Sequence, residues 1–369
     1  MKISSPKNRR GIALIIVMIT VFILTALVAA FALSMKVEMK LARNASSDAE
    51  LEWLGRSGVE LGKYVLALQL NSPQEQYDSL NQVWAGGPGS AANSNSVLGT
   101  IQLKDHAYHL GSGTFTVKQI TDAERKFNIN AVSGQGGQDV LNQAFINMGV
   151  DAGSYPQIVA AIQDWVDTDD DAHIGGAESS YYQTLAPPYL AKNGPIDDVT
   201  ELMLVKGITP EMFWGSDSPN VPPPPPSANP FANNSGILSN AVGLVKLFTP
   251  ISSGYLNLNT ASPEVMQLLP GFDANMAQSI IQQRAGPDGI DGTEDDTPFG
   301  GTGGPIQNAI QNATGGMQVG QALQRVFRTR STVFEIEVDA EVGGYHKTYV
   351  GIVVRNSPTD VQTLVFHEK

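Results

Sequence analysis

The sequence predicts an α+β protein. A long N-terminal helix, transmembrane and then amphipathic, leads into an antiparallel sheet interrupted by an inserted all-helical domain with an internal helical-hairpin repeat. Three observations predict this. Ile12 to Met35 contains no charged residue, and at about 1.5 Å rise per residue a helix of that length spans the ~30 Å hydrocarbon core of a bilayer. Runs that alternate apolar and polar residues occur early and again at the end, with over about a hundred residues between them that do not alternate. Within that gap, one stretch of sequence echoes another.

The apolar span follows Lys2, Lys7, Arg9, Arg10 and Gly11. Basic residues at one end hold that end in the cytoplasm, so the chain after Met35 is expected outside. A secretory signal peptide has a shorter apolar region, about 7–15 residues. Helical spacing continues through Val37, Leu41, Ala45, Leu51, Leu54, Val59, Leu61, Val65 and Leu68, and Asn71-Ser72-Pro73 ends it. Val97 to Leu103 and Thr114 to Ile120 alternate and read as strands, as do Lys246-Leu247-Phe248, Thr332 to Ala340, Tyr345 to Val354 and Val361 to Phe366. Gly343-Gly344 is a hairpin turn signal.

The echo has three parts. Asn128-Ile129-Asn130-Ala131 matches Asn257 to Ala261, Leu141 to Asp151 matches Val265 to Asp273, and Ile158 to Trp165 matches Ser279 to Arg284. Each copy is a short helix, a tight turn, a second helix and an acidic loop, and Ser262-Pro263-Glu264 supplies a cap and first turn. Val221 to Pro226 is a polyproline spacer between the copies.

In the first acidic loop Asp167, Asp169 and Asp171 fall at positions one, three and five, and Glu178 at position twelve, the spacing of a calcium loop. Ala172 stands at the sixth position, where such loops carry glycine. Asp164 beside Trp165 reads as a helix-end residue that holds this loop. In the second loop Asp288, Asp291, Asp295 and Asp296 alternate with glycines and could wrap an ion, although position twelve from Asp291 is Thr302. All these ligands are oxygens and the chain has no cysteine, so calcium is the expected cofactor rather than zinc. A net charge of −13 argues against nucleic acid, which needs clustered Lys and Arg. The five histidines are scattered and no hydrolase or zinc-protease signature is present, so no enzyme is expected.

The basic leader, Gly11 and an immediate apolar helix resemble the signal of type IV pilins and type II secretion pseudopilins, which prepilin peptidase cuts after the glycine. The cut implied here falls between Gly11 and Ile12. The fifth mature residue in those families is usually Glu, whereas here it is Ile16. That departure, with Asp122 to Asn130, Asp164 to Asp169, Gly176-Ala177-Glu178, Pro187-Pro188-Tyr189, Asn193-Gly194-Pro195, Glu201-Leu202 and Asn257 to Ala261, resembles the minor pseudopilin K family of type II secretion. The resemblance implies a pilin-like sheet domain with a helical insertion. It also implies a place at the tip of the pseudopilus with minor pseudopilins I and J, with H, the secretin or exoproteins as further candidate partners. The implied location is the bacterial inner membrane, single-pass, with the bulk of the chain periplasmic. The expected division is leader 1–11, transmembrane helix 12–35, stem and first sheet part 36–127, insertion 128–245, second repeat 246–327 and final strands 328–369. A membrane-anchored calcium-dependent adhesin, or a minor pilin of a related pilus, is the alternative.

Overall fold

The computed structural model describes residues 10–73, 75–89, 97–131, 136–216, 242–301, 303–313 and 325–369. The polyproline spacer lies outside them, as do residues 1–9 of the expected leader. Helix α1 runs unbroken from Arg10 to Leu70, about 90 Å at 1.5 Å per residue. From Ala13 to Leu41 its apolar side chains are exposed, and among the described residues it is the one helix long and apolar enough to cross a membrane. The hydroxyls of Thr20 and Thr25 donate back to carbonyls one turn earlier, at Ile16 and Val21. Both threonines inside the span are thereby satisfied without water. It reads as a single membrane anchor.

From Leu51 onward the same helix packs on a sheet. Gly55, Gly58 and Gly62 share one face, and a Cβ on them would lie 2.4, 2.4 and 2.8 Å from Tyr349, Val338 and Ile336. Each glycine costs a helix interior about 1 kcal/mol, and close approach of helix to sheet is what they provide in return.

The run expected as a strand at Val97 to Leu103 is instead a short helix, α2 (Val97–Thr100), followed by coil. Leu98 and Leu103 are both buried, so apolar anchoring rather than strand pairing explains the alternation. The place at the sheet edge is taken by β1 (Ala107–Leu110), paired antiparallel with β2 (Gly113–Asp122), which contains the expected Thr114 to Ile120 strand.

The insertion opens with β3 (Phe127–Asn128) and the hairpin of α3 (Gly137–Asn147) and α4 (Tyr155–Val166). Short helices α5 (Ser179–Tyr182), α6 (Pro210–Trp214) and α7 (Leu244–Leu247) follow. The expected strand at Lys246-Leu247-Phe248 is therefore a helix through Leu247. Only Phe248 begins β4 (Phe248–Thr249), which pairs parallel with β3 outside the main sheet. Then come β5 (Leu256–Asn257), the second hairpin of α8 (Pro263–Met266) and α9 (Ala274–Arg284), α10 (Ile306–Ala313), and β6 (Phe327–Arg328) parallel to β5. The Ser262 side chain accepts from Val265 N, as the cap requires.

The chain returns as β7 (Val333–Val342), β8 (Tyr345–Ser357) and β9 (Asp360–Glu368), matching the three final runs. The sheet order is β1-β2-β7-β8-β9, every pair antiparallel. Gly343 and Gly344, at φ 57° and 86°, make the β7–β8 turn.

Two cores result. One sandwiches α1 against the sheet through Leu51, Leu54, Leu66, Trp84, Phe115, Phe334 and Val338. The other lies inside the insertion and joins both hairpins through Phe145, Trp165, Phe213, Leu258 and Ile280. Their junction is polar. The buried Asp122 carboxylate accepts from Asn257 Nδ2 at 3.0 Å and from Thr260 Oγ1 and Ser331 Oγ at 2.6 Å. Burial pushes its pKa up to about 6, against the pull of the Ser331 and Thr260 hydrogen bonds. Beside it Arg355, fully buried, pairs with Asp78 at 2.5 Å and donates to Leu66 O. Along α1, Leu54 meets Gly113 where β2 starts, and Leu66 meets Arg355 near the end of β2. The insertion is thus rooted at the end of the sheet farthest from the apolar part of α1.

Candidate functional site

Helix α4 ends in Asp164, Trp165 and Val166, all buried. Asp164 gathers the loop that follows: Oδ1 accepts from His173 N at 3.0 Å and lies 2.5 Å from His173 Nδ1, while Oδ2 accepts from Ala177 N at 2.6 Å. A Cβ on Gly176 would lie 2.0 Å from Asp164 Oδ2, so only glycine lets the loop close over the carboxylate. From the other side Lys206 Nζ donates to Gly175 O and Gly176 O.

The closed loop brings three of its four expected ligands together. Oxygens of Asp167, Asp169 and Glu178 lie within 4.8 Å of one another. Glu178 is only 2% exposed and neither of its carboxylate oxygens has a partner, nor does Asp167 Oδ1. Buried polar atoms are nearly always bonded, so these orphaned oxygens fit a cation. Burial, then Asp164 and Asp167, pushes the Glu178 pKa up to about 7, and burial with Asp169 raises that of Asp167. The hydrogen bond to Asp164 raises the pKa of His173.

Asp171 does not join the group: its backbone N donates to Asp169 Oδ1. With Ala172 at the sixth position the chain makes its left-handed turn at Gly175 (φ 85°) instead, so the register of a calcium loop is lost between the third position and the twelfth. Asn193 was not among the sequence candidates. Its Nδ2 donates to Asp169 O at 2.7 Å and Asp170 Oδ1 at 3.3 Å, and its Oδ1 is buried without a partner.

The second loop is built differently. The buried Arg284 at the end of α9 grips Asp291 through both oxygens, at 2.9 and 2.6 Å, and donates to Leu258 O and Ala261 O. Asp288 accepts from Ile290 N, Asp295 from Thr293 Oγ1 and Asp288 N, and Asp296 from Gly292 N and Thr293 N. Among the described residues these four carboxylates form no ligand group, because the loop's own donors and Arg284 already hold them. Thr293 holds the Asp295 pKa below the usual range, whereas burial raises that of Asp296. The first loop is thus gathered by an acid near the end of α4 and the second by a base at the end of α9.

Known proteins resemble this chain over part of its length. The family profile for protein K of the type II secretion system, first part, matches residues 125–214, which hold the whole first loop and Asn193. The putative type II secretion system protein K of Escherichia coli K12 is 28% identical over 218 residues. Over these stretches the chain is similar to the type II secretion protein K family. The type II secretion system protein K of Klebsiella pneumoniae is 27% identical over 217 residues. Each alignment takes in 56% of this chain and 60% of the relative. The fold is also that of a chain in the GspK-GspI-GspJ complex of enterotoxigenic Escherichia coli, at TM-score 0.61 and 19% identity, covering 89% of this chain and 99% of that one.

Proposed function

We propose that the chain is a minor pseudopilin at the tip of a type II secretion pseudopilus, where it initiates assembly with minor pseudopilins I and J and supports protein export. In this reading α1 sits in the inner membrane with its N-terminus cytoplasmic, prepilin peptidase cuts between Gly11 and Ile12, and the bulk is periplasmic. One observation carries it: the insertion is rooted at the membrane-distal end of the sheet, through Asp122, Ser331 and Asn257. Bulk there obstructs any subunit stacked above and obstructs nothing below. Ile16 adds to this, because a buried carboxylate at that depth would serve a neighbour's amino terminus and this chain offers none. In a related protein the printed complex is with GspI and GspJ, which makes these the first partners to test.

Calcium belongs to the same proposal. Asp167, Asp169 and Glu178 would hold it, and bound there it would supply the positive charge that the loop lacks. Asp164 and Lys206 orient the loop from outside, and His173 shields Asp164 from the solvent side. The test of position is labelling and copy number: about one copy per filament, at one end, co-purifying with I and J. Label distributed along the whole shaft would refute it.

A further inference from the structure

We propose that the polar node at the root of the insertion is a proton-operated latch. With a proton on Asp122 it holds the insertion firmly to the sheet, and it loosens when that proton is lost. The inference is independent of the calcium and tip readings above.

The chain crosses between sheet and insertion twice, after Asp122 at the end of β2 and before Val333 at the start of β7. Three carboxylates are buried at these crossings, Asp78, Asp122 and Glu124, each 2% exposed or less. The buried Arg355 guanidinium donates to Asp78 Oδ2, Leu66 O and Ser331 O. Glu124 ties the crossings together: its N donates to Asp122 Oδ1 at 2.8 Å, and its Oε1 accepts from Thr332 N at 3.0 Å and Thr332 Oγ1 at 2.6 Å. The charges that face Asp122 are Glu124 and the half-buried Arg125 from its own turn, and Asp78 from the segment after α1. Asn257 and Thr260 from the insertion, and Ser331 from the second crossing, bring hydrogen bonds but no charge. Arg284 of α9 acts on Arg125, whose charge it opposes. Three acids against Arg355 and Arg125 leave one negative charge in a site closed to water, where an uncompensated charge is costly.

A proton on Asp122 removes that charge without breaking the network. The neutral carboxyl donates from Oδ2 to Thr260 Oγ1 at 2.6 Å, and Thr260 turns its own proton towards Asn257 O at 3.5 Å. Once the proton leaves, the charge is relieved by admitting water, which parts the two crossings. Burial, with Glu124 and Asp78 adding, pushes the Asp122 pKa up from 3.8 to about 6, against the Ser331 and Thr260 hydrogen bonds. Between those values the closed node holds a proton that the open one has released. Closure therefore weakens as pH rises through that window and stays weak above it.

The test uses the full chain in detergent micelles without added metal. Hydrogen exchange of peptides 118–126 and 329–335, corrected for the intrinsic pH dependence of exchange, is followed from pH 4 to pH 7.5. In the parent, protection of both peptides should fall at least about tenfold and level off above about 6, while α4 and α9 lose less. Asp122→Asn puts a neutral group of the same size in place and should make both peptides insensitive to pH. Glu124→Gln keeps the Oε1 acceptor for Thr332 and removes one neighbouring charge, so the fall should be smaller and end at lower pH. That second variant decides the matter where Asp122→Asn disturbs folding. No fall in the parent would overturn the latch, as would an equal fall in Asp122→Asn or an unchanged one in Glu124→Gln. A loss spread evenly over sheet and insertion would overturn it as well.

Discussion

Removal of divalent cations should destabilise the insertion, and more so at pH 8 than at pH 5. The Glu178 carboxyl titrates near 4.5 in an unfolded chain and at about 7 in the folded loop. Between those values the folded state holds a proton that the unfolded state has released, so cation-free stability falls as pH rises and the whole penalty is present above 7. At 1.36 kcal/mol per unit the shift corresponds to about 3 kcal/mol, an upper figure because Asp169, Asp170 and Asp171 are exposed and water screens them. Asp167, also raised, and His173, whose protonated form is favoured by Asp164, act in the same direction. Calcium bound at the deprotonated oxygens, as proposed, would remove the penalty and add about 2.7 kcal/mol at a hundredfold excess over Kd. At roughly 2–4 °C per kcal/mol for a unit of this size, chelator should lower Tm by about 6–12 °C at pH 8 and by little at pH 5. Scanning calorimetry of the chain from Asn44 onward, with and without chelator at both pH values, measures this. An equal Tm with and without chelator at pH 8, or a larger effect at pH 5, would refute the reasoning.

Four further outcomes are expected. Gly58→Val drives a methyl group into Val338 and should cost about 1–3 kcal/mol by overpacking, read as a lower urea midpoint with unchanged slope. Asp122→Ala removes the acceptor of the Thr260 and Ser331 hydroxyls and should cost about 2–3 kcal/mol, with limited proteolysis now cutting between sheet and insertion. Arg284→Met frees Asp291 and should lower Tm equally in calcium and in chelator, since this loop supplies its own cation; a calcium-dependent loss would count against that account. Gly11→Leu should leave the leader attached, and mass measurement of the mature N-terminus decides between Met1 and Ile12.

What was legible in the sequence was whatever depends on period. The stem helix, the last three strands and the duplicated hairpin all bury one face over many residues, so their spacing survives any local accident. Val97 to Leu103 misled because Leu98 and Leu103 are buried without a partner strand, and short alternation cannot distinguish anchoring from pairing. At the site, Asp167, Asp169 and Glu178 were readable as carboxylates on one loop, but Asp171 was lost to a turn that moved to Gly175. Asn193 was beyond a spacing argument because a tertiary hydrogen bond, Gly194 N to Trp165 O, delivers it.

The root of the insertion also shapes how the chain finds its fold. Strands β2 and β7 are neighbours in the sheet, yet Gly113 pairs with Val342 across the whole excursion. Closing a flexible loop of about two hundred residues costs roughly 3–4 kcal/mol more entropy than closing a tight hairpin. A collapsed insertion removes most of that cost, because its own core brings the ends together and sets Ser331 Oγ 2.6 Å from Asp122. The sheet then closes as though the two strands were joined by a short turn. A guest domain that folds first would act as the turn of its host.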